Sequence, residues 1–365
     1  MNILCVIDSL RSGGSQRQLV ELALGFKEKG HVVSFLTYHN IPFYNPVLDK
    51  EGILITCIQA PNYIMRLFKM RLFIRKGNYD AVISFLEAPN FICEFASFPY
   101  RKWSLLAGER SAQPGIYFNP KLIIYRWFHF LADYIVANSY ANMKIVRKVN
   151  PLLSKSKCKV IYNTIDFSCW KPSNHYYPRR IGKLKLIMAA THSYLKNLNG
   201  LIEALSLLSK EERKKIMVEW YGERISEPYM DGSYVEALKK IKTFNLENII
   251  SFYPATLNIT KIIQDSDAVG LFSFYEGFPN VICEALACGK PVICSNVSDL
   301  PELLSHDMNL LCNPASSESI KCALKYLIGL NNDKLTHIGS VNEKIAREHF
   351  NKKTIVSKYL ELIEI

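Results

Sequence analysis

Residues 268–294 constrain the fold more than any other part of the chain. Residues 268–274 read Ala-Val-Gly-Leu-Phe-Ser-Phe, an apolar run typical of a strand buried on both faces of a parallel sheet. Pro279 suits the first turn of a helix, and Gly289 with Pro291 indicates where that helix stops before another strand. The pattern is therefore strand, acidic loop, helix and strand, and in open α/β sheets ligands bind where such strands end.

The same alternation of strands and helices runs through both halves of the chain. Residues 15–29 have helical spacing of apolar side chains and end at Gly30. Strands are predicted at 3–7, 31–38, 81–85, 103–107, 134–137, 159–161, 184–189, 217–221, 249–252, 268–274, 291–295 and 310–312. At 365 residues the chain exceeds what one core usually supports, so two α/β domains are expected.

Two carboxylates, Glu276 and Glu284, bracket seven residues of the acidic loop and its helix. Ser273 precedes them, residues 289–292 read Gly-Lys-Pro-Val, and residues 299–302 read Asp-Leu-Pro-Glu. This run resembles the E-x7-E signature of the family 4 retaining glycosyltransferases. The resemblance implies the GT-B fold, an α/β architecture in which two Rossmann-like, doubly wound domains face a cleft.

The resemblance also implies how the chain is divided. Residues 1–168 would form an N-terminal, acceptor-binding Rossmann-like domain, and residues 183–350 a C-terminal domain that binds the nucleotide sugar. Residues 169–182 are rich in Pro, aromatic and basic residues without periodicity, which indicates a linker. The last helical segment, 353–365, would pack back onto the N-terminal domain.

The loop after the first strand of the second domain is expected to bind the donor diphosphate. Lys196 matches the Lys of the family pattern, whereas Thr191 stands where the family usually has Arg. Transfer from a nucleotide sugar leaves a diphosphate, so the site needs cations where negative charge accumulates. His192, Arg110 and Arg224 are alternative sources of the missing charge.

The resemblance assigns separate roles to the two glutamates. Glu276, with the N–H groups that follow it, would hold hydroxyls of the donor sugar, and Glu284 would bind the ribose. Orientation of this kind lowers the barrier through proximity, and a front-face mechanism would let the leaving phosphate help to deprotonate the acceptor. The implied donor-binding residues are Gly13, Gly14, Thr191, Lys196, Glu276, Gly277, Phe278, Asn280 and Glu284.

Two further segments of the first half bear on the site. Gly13 and Gly14 precede a helix, where adjacent glycines let the backbone approach a ligand, and they match the family's Gly-Gly loop. Glu109 follows a strand and is a candidate to orient or deprotonate the acceptor; the alternative is a surface ion pair with Arg110. The catalytic candidates are thus Glu276, Lys196 and Glu109. The family often has a histidine at the reacting centre, and the sequence identifies no equivalent.

The sequence Asp265-Ser266-Asp267 is compatible with a D-x-D metal site, but its position argues against one. It precedes the strand at 268–274 and so lies at the amino end, whereas the ligand should bind at the carboxyl end. We therefore expect no metal requirement and no cofactor.

Positive charge is concentrated in the first half of the chain. The net charge is +12, and residues 1–170 contain 21 Lys and Arg against 11 Asp and Glu. Residues 63–76 interleave cations with large apolar side chains, and residues 99–130 are basic and aromatic. Such a surface can bind an anionic membrane; the alternative is a helix that packs Leu and Phe inward and leaves Lys and Arg in water.

Other sequence features indicate the compartment. The chain begins directly with a strand pattern, so we expect no signal peptide, and no apolar run approaches the length of a bilayer. The ten cysteines are scattered without zinc-site spacing and are expected to be reduced and mostly buried. A cytoplasmic protein is expected, one that can also bind the inner face of the cell membrane.

These features together predict a metal-independent retaining glycosyltransferase. It would move a hexose or N-acetylhexosamine from a UDP- or GDP-sugar to a glycan acceptor, lipid-linked, in biosynthesis of a surface polysaccharide such as lipopolysaccharide or capsule. One alternative is a GT-B-like nucleotide-sugar epimerase. Another is a basic nucleic-acid-binding protein, which charge alone would favour, although no RNA-binding signature is present and we expect no nucleic-acid partner.

Overall fold

The computed structural model describes residues 1–224 and 231–364 of the chain. These residues form two compact units, each with its own parallel sheet. The first unit contains Met1–Thr164 and the segment from Phe350 onward, and the second contains Ile165–His349.

The first unit is a seven-stranded sheet in the order β3-β2-β1-β4-β5-β6-β7, and each neighbouring pair is parallel. Parallel strands require crossover connections, which helices provide. The strands are β1 Asn2–Val6, β2 Val32–Thr37, β3 Leu54–Cys57, β4 Ala81–Phe85, β5 Ser104–Glu109, β6 Tyr134–Ala137 and β7 Cys158–Val160. The helices are α1 Gly14–Glu28, α2 Asn45–Lys50, α3 Tyr63–Lys76, α4 Glu87–Ser97, α5 Pro120–Trp127 and α6 Tyr140–Val149.

Helices cover both faces of this sheet. One apolar cluster includes Leu19 and Phe26 of α1, and another includes Met70 of α3 and Ile92 of α4. Strand β4 is buried at every position because its side chains alternate between these two clusters. This double burial explains its continuous apolar sequence.

The second unit is a six-stranded parallel sheet in the order β10-β9-β8-β11-β12-β13. The strands are β8 Leu184–Ala189, β9 Ile216–Tyr221, β10 Ile250–Tyr253, β11 Ala268–Leu271, β12 Val292–Ser295 and β13 Leu311–Cys312. The helices are α7 Leu198–Ser206, α8 Lys210–Lys214, α9 Ser233–Thr243, α10 Ile259–Gln264, α11 Asn280–Ala287, α12 Leu300–Leu303, α13 Ser317–Gly329 and α14 Asn332–His349. Two Rossmann-like α/β units are thus present, as the sequence predicts.

Each sheet reverses its strand order at one point. In the first unit the chain places β2 and β3 on one side of β1 and then continues with β4 on the other side. In the second unit β8 and β11 are the corresponding neighbours. Ligands of doubly wound sheets bind beyond the carboxyl ends of the strands at such a reversal, so the loops after β1, β4, β8 and β11 are the places to examine.

The C-terminal helix α15, Lys352–Ile363, belongs to the first unit although the second unit precedes it in sequence. The ring of Tyr359 packs edge-on against Phe26 of α1 at 6.4 Å between centroids. Close packing explains Gly25, since a Cβ there would lie 2.4 Å from a methyl carbon of Val356. The predicted helix extends to Ile365, a residue outside the described range.

The stretch expected as a linker, 169–182, packs on the second unit. The Tyr176 hydroxyl donates to Asp267 at 2.6 Å, and the Arg179 guanidinium donates to the carbonyl of Leu330 at 2.7 Å. These bonds attach the stretch to the second unit, which begins at Ile165.

Candidate active site

A short ion pair lies at the order reversal of the second sheet. Lys196 follows β8, Glu276 follows β11, and the lysine Nζ lies 2.6 Å from the glutamate Oε1. Both side chains remain partly accessible, at 21% and 13% exposed. The two residues are 80 positions apart and meet because their strands are hydrogen-bonded neighbours, with Met188 opposite Gly270.

Backbone and ring contacts fix the two loops against each other. The N–H of Phe274 donates to the carbonyl of Leu195 at 3.0 Å, and the Tyr194 ring stacks on Phe274 at 4.9 Å. Asn197 adopts a left-handed conformation with φ of 58°, and its side chain donates to the carbonyl of Pro314 at 2.7 Å. These contacts hold Lys196 beside Glu276.

The remaining residues of the E-x7-E run surround the start of α11. The hydroxyl of Ser298 donates to the carbonyl of Gly277 at 2.6 Å, which ties the acidic loop to the connection after β12. Phe278 is buried, and α11 begins at Asn280, so the acidic loop leads directly into the amino-terminal turn of this helix. Glu284 lies within α11 and is almost fully buried.

A cavity of about 650 Å³ opens at the carboxyl ends of β8, β9 and β10. It is lined by His192, Gly222, Glu223, Arg224, Phe252, Tyr253, Pro254 and Ala255. Gly222 is required by close approach, since a Cβ there would lie 1.8 Å from the carbonyl oxygen of Ala190. Burial, together with the nearby charge of Arg224, lowers the pKa of His192.

The segment around Thr191 has hydroxyl groups where a guanidinium was expected. Thr191 is exposed, and its hydroxyl lies 3.3 Å from that of Ser193. One of the alternative cations, Arg224, follows β9; its backbone forms a bridge with His192, and its guanidinium lies over the Tyr234 ring at 4.3 Å. Arg224 and His192 therefore lie on one cavity wall, next to Thr191.

Gly13 and Gly14 lie at the order reversal of the first sheet. Gly13 is the N-cap of α1 in an extended conformation, and Gly14 is the first helical residue. The Gln16 side chain turns back and donates to Asp8 at 2.8 Å. A Cβ on Gly13 would lie 2.2 Å from the Gln16 side-chain oxygen. The glycine loop is thus closely packed against α1.

Glu109 is buried within the first unit, and its partner is different from the one considered from sequence. Its carboxylate accepts a hydrogen bond from Arg126 at 2.6 Å and lies 3.1 Å from Nε2 of His129. Burial alone would raise the pKa of Glu109, but Arg126 and His129 outweigh it and hold the pKa below its usual value. The surface ion pair between Glu109 and Arg110 was therefore a wrong alternative.

Arg110 instead links the end of β5 to the C-terminal helix. Its guanidinium donates to the Tyr359 hydroxyl at 2.6 Å and to the Asn163 side chain at 3.2 Å. The same group lies over the Phe85 ring at 3.7 Å. These contacts all lie within the first unit, so the Arg110 guanidinium joins β5 to neighbouring elements there.

His129 completes a buried cluster that the sequence did not reveal. Its Nδ1 lies 2.6 Å from a carboxylate oxygen of Glu94 on α4, while Nε2 faces Glu109 on β5. Burial lowers the pKa of His129, but Glu94 and Glu109 reverse this effect and raise the pKa to about 9. His129 is 35 residues from Glu94 in sequence, and no local pattern connects the two.

Asp267 acts as an anchor for backbone groups. Its carboxylate accepts from the N–H groups of Lys185 at 2.6 Å and Arg179 at 2.8 Å, in addition to the Tyr176 hydroxyl. Within residues 1–224 and 231–364, no group of three or more His, Cys, Asp or Glu side chains is arranged to hold a metal ion. Asp267 lies before β11, at the amino edge of the sheet.

Helix α3 presents apolar side chains to solvent. Ile64, Phe68 and Leu72, spaced four residues apart on one helical face, are 67%, 57% and 54% exposed. The Arg75 guanidinium turns inward and donates to the carbonyl of Ala96 at the end of α4. The other side of α3 packs Leu67, Met70, Phe73 and Ile74 against the core, so this helix has apolar side chains both inside and in solvent. No helix in the described ranges has both the length and the apolar character that crossing a bilayer requires.

Comparison with known proteins agrees with this architecture. Structures that share the fold include Anabaena Alr3699/HepE in complex with UDP and glucose, with a TM-score of 0.86 and 20% identity over 100% of this chain and 99% of that chain. Another is a mutant of S. aureus TarM in complex with Fondaparinux, alpha-GlcNAc-glycerol and UDP, with a TM-score of 0.79 and 11% identity over the whole of both chains. The fold is thus that of GT-B glycosyltransferases.

Sequence comparison identifies the family. Residues 12–168 match the family described as Glycosyltransferase Family 4, and residues 178–344 match Glycosyl transferases group 1. The chain therefore belongs to the family 4 glycosyltransferases and is a glycosyltransferase of polysaccharide or glycoconjugate biosynthesis. These matches favour a glycosyltransferase over the epimerase and nucleic-acid-binding alternatives.

Two relatives match this chain over nearly their whole length. The chain is 22% identical to the N-acetyl-alpha-D-glucosaminyl L-malate synthase of Bacillus anthracis, over 95% of this chain and 92% of that protein. It is 25% identical to the N-acetylgalactosamine-N,N'-diacetylbacillosaminyl-diphospho-undecaprenol 4-alpha-N-acetylgalactosaminyltransferase of Campylobacter jejuni, over 98% of both chains.

Proposed function

We propose that the protein is a retaining glycosyltransferase that moves a hexose or N-acetylhexosamine from UDP to a lipid-linked glycan. The pairing of Lys196 with Glu276 at 2.6 Å is the observation that carries this proposal. A cation and a carboxylate held side by side at the order reversal of the sheet suit the two ends of a nucleotide sugar, the diphosphate and the sugar hydroxyls.

In the proposed complex the two residues of the ion pair contact different parts of the donor. Lys196 neutralises charge on the departing diphosphate, and Glu276 accepts hydrogen bonds from donor sugar hydroxyls. Because both side chains are partly exposed, a ligand can reach them without unfolding the core. The backbone N–H groups of Gly277, Phe278 and Asn280 lie at or just before the start of α11, where N–H groups attract oxygen atoms.

The base and ribose of the donor are assigned to neighbouring groups. We place them near the cavity lined by His192 and Arg224, with Glu284 binding the ribose. Arg224 supplies the positive charge that Thr191 lacks, since it lines the same cavity. UDP is proposed rather than GDP because solved structures of the same fold contain UDP.

In the first unit, Gly13 and Gly14 are proposed to lie against the donor phosphate and the acceptor. Glu109, held by Arg126 and His129, is proposed to support the acceptor side from within its buried cluster rather than as an exposed base. Retention would follow a front-face course in which the leaving phosphate takes the acceptor proton. Neither this step nor donor binding is proposed to need a metal.

The acceptor is proposed to be a lipid-linked glycan in surface polysaccharide biosynthesis. The Campylobacter relative is named for a diphospho-undecaprenol substrate, and the exposed stripe of Ile64, Phe68 and Leu72 fits an interfacial surface. Exposed Lys69 and Lys76 on the same helix favour anionic lipid. The protein would then work at the cytoplasmic face of the membrane, bound peripherally.

A donor panel tests the proposed reaction. Purified protein is incubated with UDP-, GDP- and ADP-sugars, and both donor hydrolysis and the shift in thermal unfolding are measured with EDTA and with manganese. We expect stabilisation and slow hydrolysis with UDP-sugars in EDTA. Preference for GDP-sugars would contradict the nucleotide assignment, and activity only with manganese would contradict metal independence. Absence of any nucleotide-sugar effect would contradict the donor site as a whole.

A further inference from the structure

His192 is a buried polar side chain that the fold leaves without a hydrogen-bond partner. The residue follows β8 and is only 3% exposed. Within residues 1–224 and 231–364, neither nitrogen of its ring makes a hydrogen bond. Buried polar groups are nearly always paired, because leaving one unpaired destabilises a fold. The imidazole of His192 is therefore available to pair with a ligand.

Aromatic packing holds the His192 ring at the wall of the cavity beyond β8, β9 and β10. The ring centroid lies 5.1 Å from that of Tyr234, 5.2 Å from that of Phe252 and 6.2 Å from that of Trp220. The backbone N–H of His192 donates to the carbonyl of Glu223 at 3.0 Å, which fixes the main chain as well. The cavity of about 650 Å³ is within the size range of small-molecule sites, so a ligand there would meet a ring that is already in place.

The surroundings of His192 favour a neutral ring with one acceptor nitrogen. Burial, and then the charge of Arg224, lower the pKa of His192, whereas the nearby carbonyl of Trp220 acts in the opposite direction. That carbonyl forms no hydrogen bond with the ring, but it favours the tautomer that has its N–H on the same side. The other ring nitrogen is then an acceptor that no group of the described chain satisfies.

The cavity beside His192 suits a flat, uncharged ring. Phe252 and Tyr253 line it, and Tyr253 stacks on Tyr221 at 4.8 Å between centroids. Every nucleobase can stack on an aromatic side chain, so stacking alone does not distinguish one base from another. A hydrogen bond to the edge of the base does distinguish them, and the unpaired acceptor of His192 is placed on the same cavity wall.

We propose that His192 selects the nucleobase of the donor by accepting a hydrogen bond from the imide N–H of uracil. This inference rests on the proposed transferase function and names the residue that makes its donor site specific for UDP. Uracil has a hydrogen on the ring nitrogen between its two carbonyl groups, whereas cytosine, a ring of the same size, has a bare nitrogen there. With CDP two acceptors would face each other, so the site favours UDP.

The variant His192→Phe separates this role from a structural one. Phenylalanine keeps a planar ring among Trp220, Tyr234 and Phe252 and removes two polar atoms that have no partner. We expect the thermal midpoint of the ligand-free protein to be unchanged or raised. A residue that only supports the fold would instead lower the midpoint and would weaken the binding of UDP and CDP equally.

The experiment is calorimetric titration of UDP and of CDP into three proteins. These are the wild type, His192→Phe and His337→Phe, a matched change at an exposed histidine of α14. We expect the wild type and His337→Phe to bind UDP at least about tenfold more tightly than CDP. His192→Phe should bind the two nucleotides with affinities within about twofold of each other, because the acceptor that distinguishes them is gone.

The wild-type comparison needs no variant, so it tests the inference even if His192→Phe does not fold. Equal wild-type affinities for UDP and CDP, or an unchanged preference for UDP in folded His192→Phe, would overturn the inference. If the wild type bound neither nucleotide, the proposed transferase function would fail instead, so the two failures are distinguishable.

Discussion

The two units hold their carboxylates in opposite ways. In the first unit Glu109 is buried and contacts both Arg126 and His129, and Glu94 is buried and contacts His129. In the second, Glu276 has one close cationic partner, Lys196, and both are partly open to solvent. A buried ion cluster cannot exchange partners without a large desolvation penalty, whereas a half-exposed pair can. The first arrangement suits support of a site, and the second suits contact with a ligand.

The largest effect should follow from breaking the buried cluster. Arg126→Met removes a fully buried guanidinium and leaves Glu109 and Glu87 without their shared cation. We expect the free energy of unfolding of the first unit to fall by about 3–5 kcal/mol. Urea unfolding measures this, with Arg147→Met, at an exposed position on α6, as the control. Equal stability of the two variants would show that the cluster does not support the fold.

Breaking the accessible pair should affect turnover instead of stability. Glu276→Gln keeps the size of the side chain but removes the charge that is proposed to hold donor hydroxyls. We expect kcat/KM for the donor to fall by roughly 100-fold with an unchanged thermal midpoint. Glu219→Gln is the matched control, because Glu219 forms a similar 3.0 Å ion pair with Lys185 at the other end of β8. If both variants had similar kinetics, Glu276 would not contact the donor.

The pH dependence of stability should further distinguish the buried cluster of the first unit from the accessible ion pair of the second. The pKa of His129 is raised to about 9 from 6.5 by Glu94 and Glu109 in spite of burial. Protonated His129 therefore stabilises the fold fully below about pH 6.5, and this stabilisation is lost as pH rises through about 9. Glu94 on α4, Glu109 on β5 and Arg126 on α5 are the charged groups that face it. Thermal unfolding from pH 6 to 10 should decline more steeply in the wild type than in His129→Gln, and parallel curves would contradict this assignment.

A smaller effect is expected on the surface of α3. Phe68→Ser with Leu72→Ser removes two exposed apolar side chains and leaves the core intact. Binding to vesicles containing roughly one third phosphatidylglycerol should weaken about tenfold, while Leu257→Ser, at an exposed apolar residue of the second unit, should bind normally. Co-sedimentation measures both. Equal binding by all three proteins would rule out this face of α3 as the membrane surface.

Much of the fold could be predicted because its strands are short, apolar and doubly buried. The predicted strands at 81–85, 134–137 and 184–189 have the bounds observed. Strand β3 was missed because it lies at the edge of the sheet, where Leu54 is 70% exposed and the sequence lacks a buried pattern. Strand β11 ends at Leu271, earlier than predicted, since Phe274 bonds to the loop of Leu195 and not to a neighbouring strand.

The site was predictable only in part. The E-x7-E spacing and the strand before it led to Glu276, and the family resemblance led to Lys196. The contacts among Glu94, Glu109, Arg126 and His129 were not predictable, because they join α4, β5, α5 and a turn through tertiary packing. The sequence likewise did not predict which side of α3 faces solvent, because apolar residues occur on several sides of that helix.

The central claim is that Lys196, the cation of the accessible ion pair in the second unit, binds the donor diphosphate. Calorimetric titration of UDP into wild type, Lys196→Ala and Lys185→Ala tests it most directly, because the two lysines have similar exposure and each forms one carboxylate pair. The account predicts that Lys196→Ala weakens UDP binding at least about tenfold and that Lys185→Ala binds like the wild type. Equal affinity of all three proteins for UDP would contradict it.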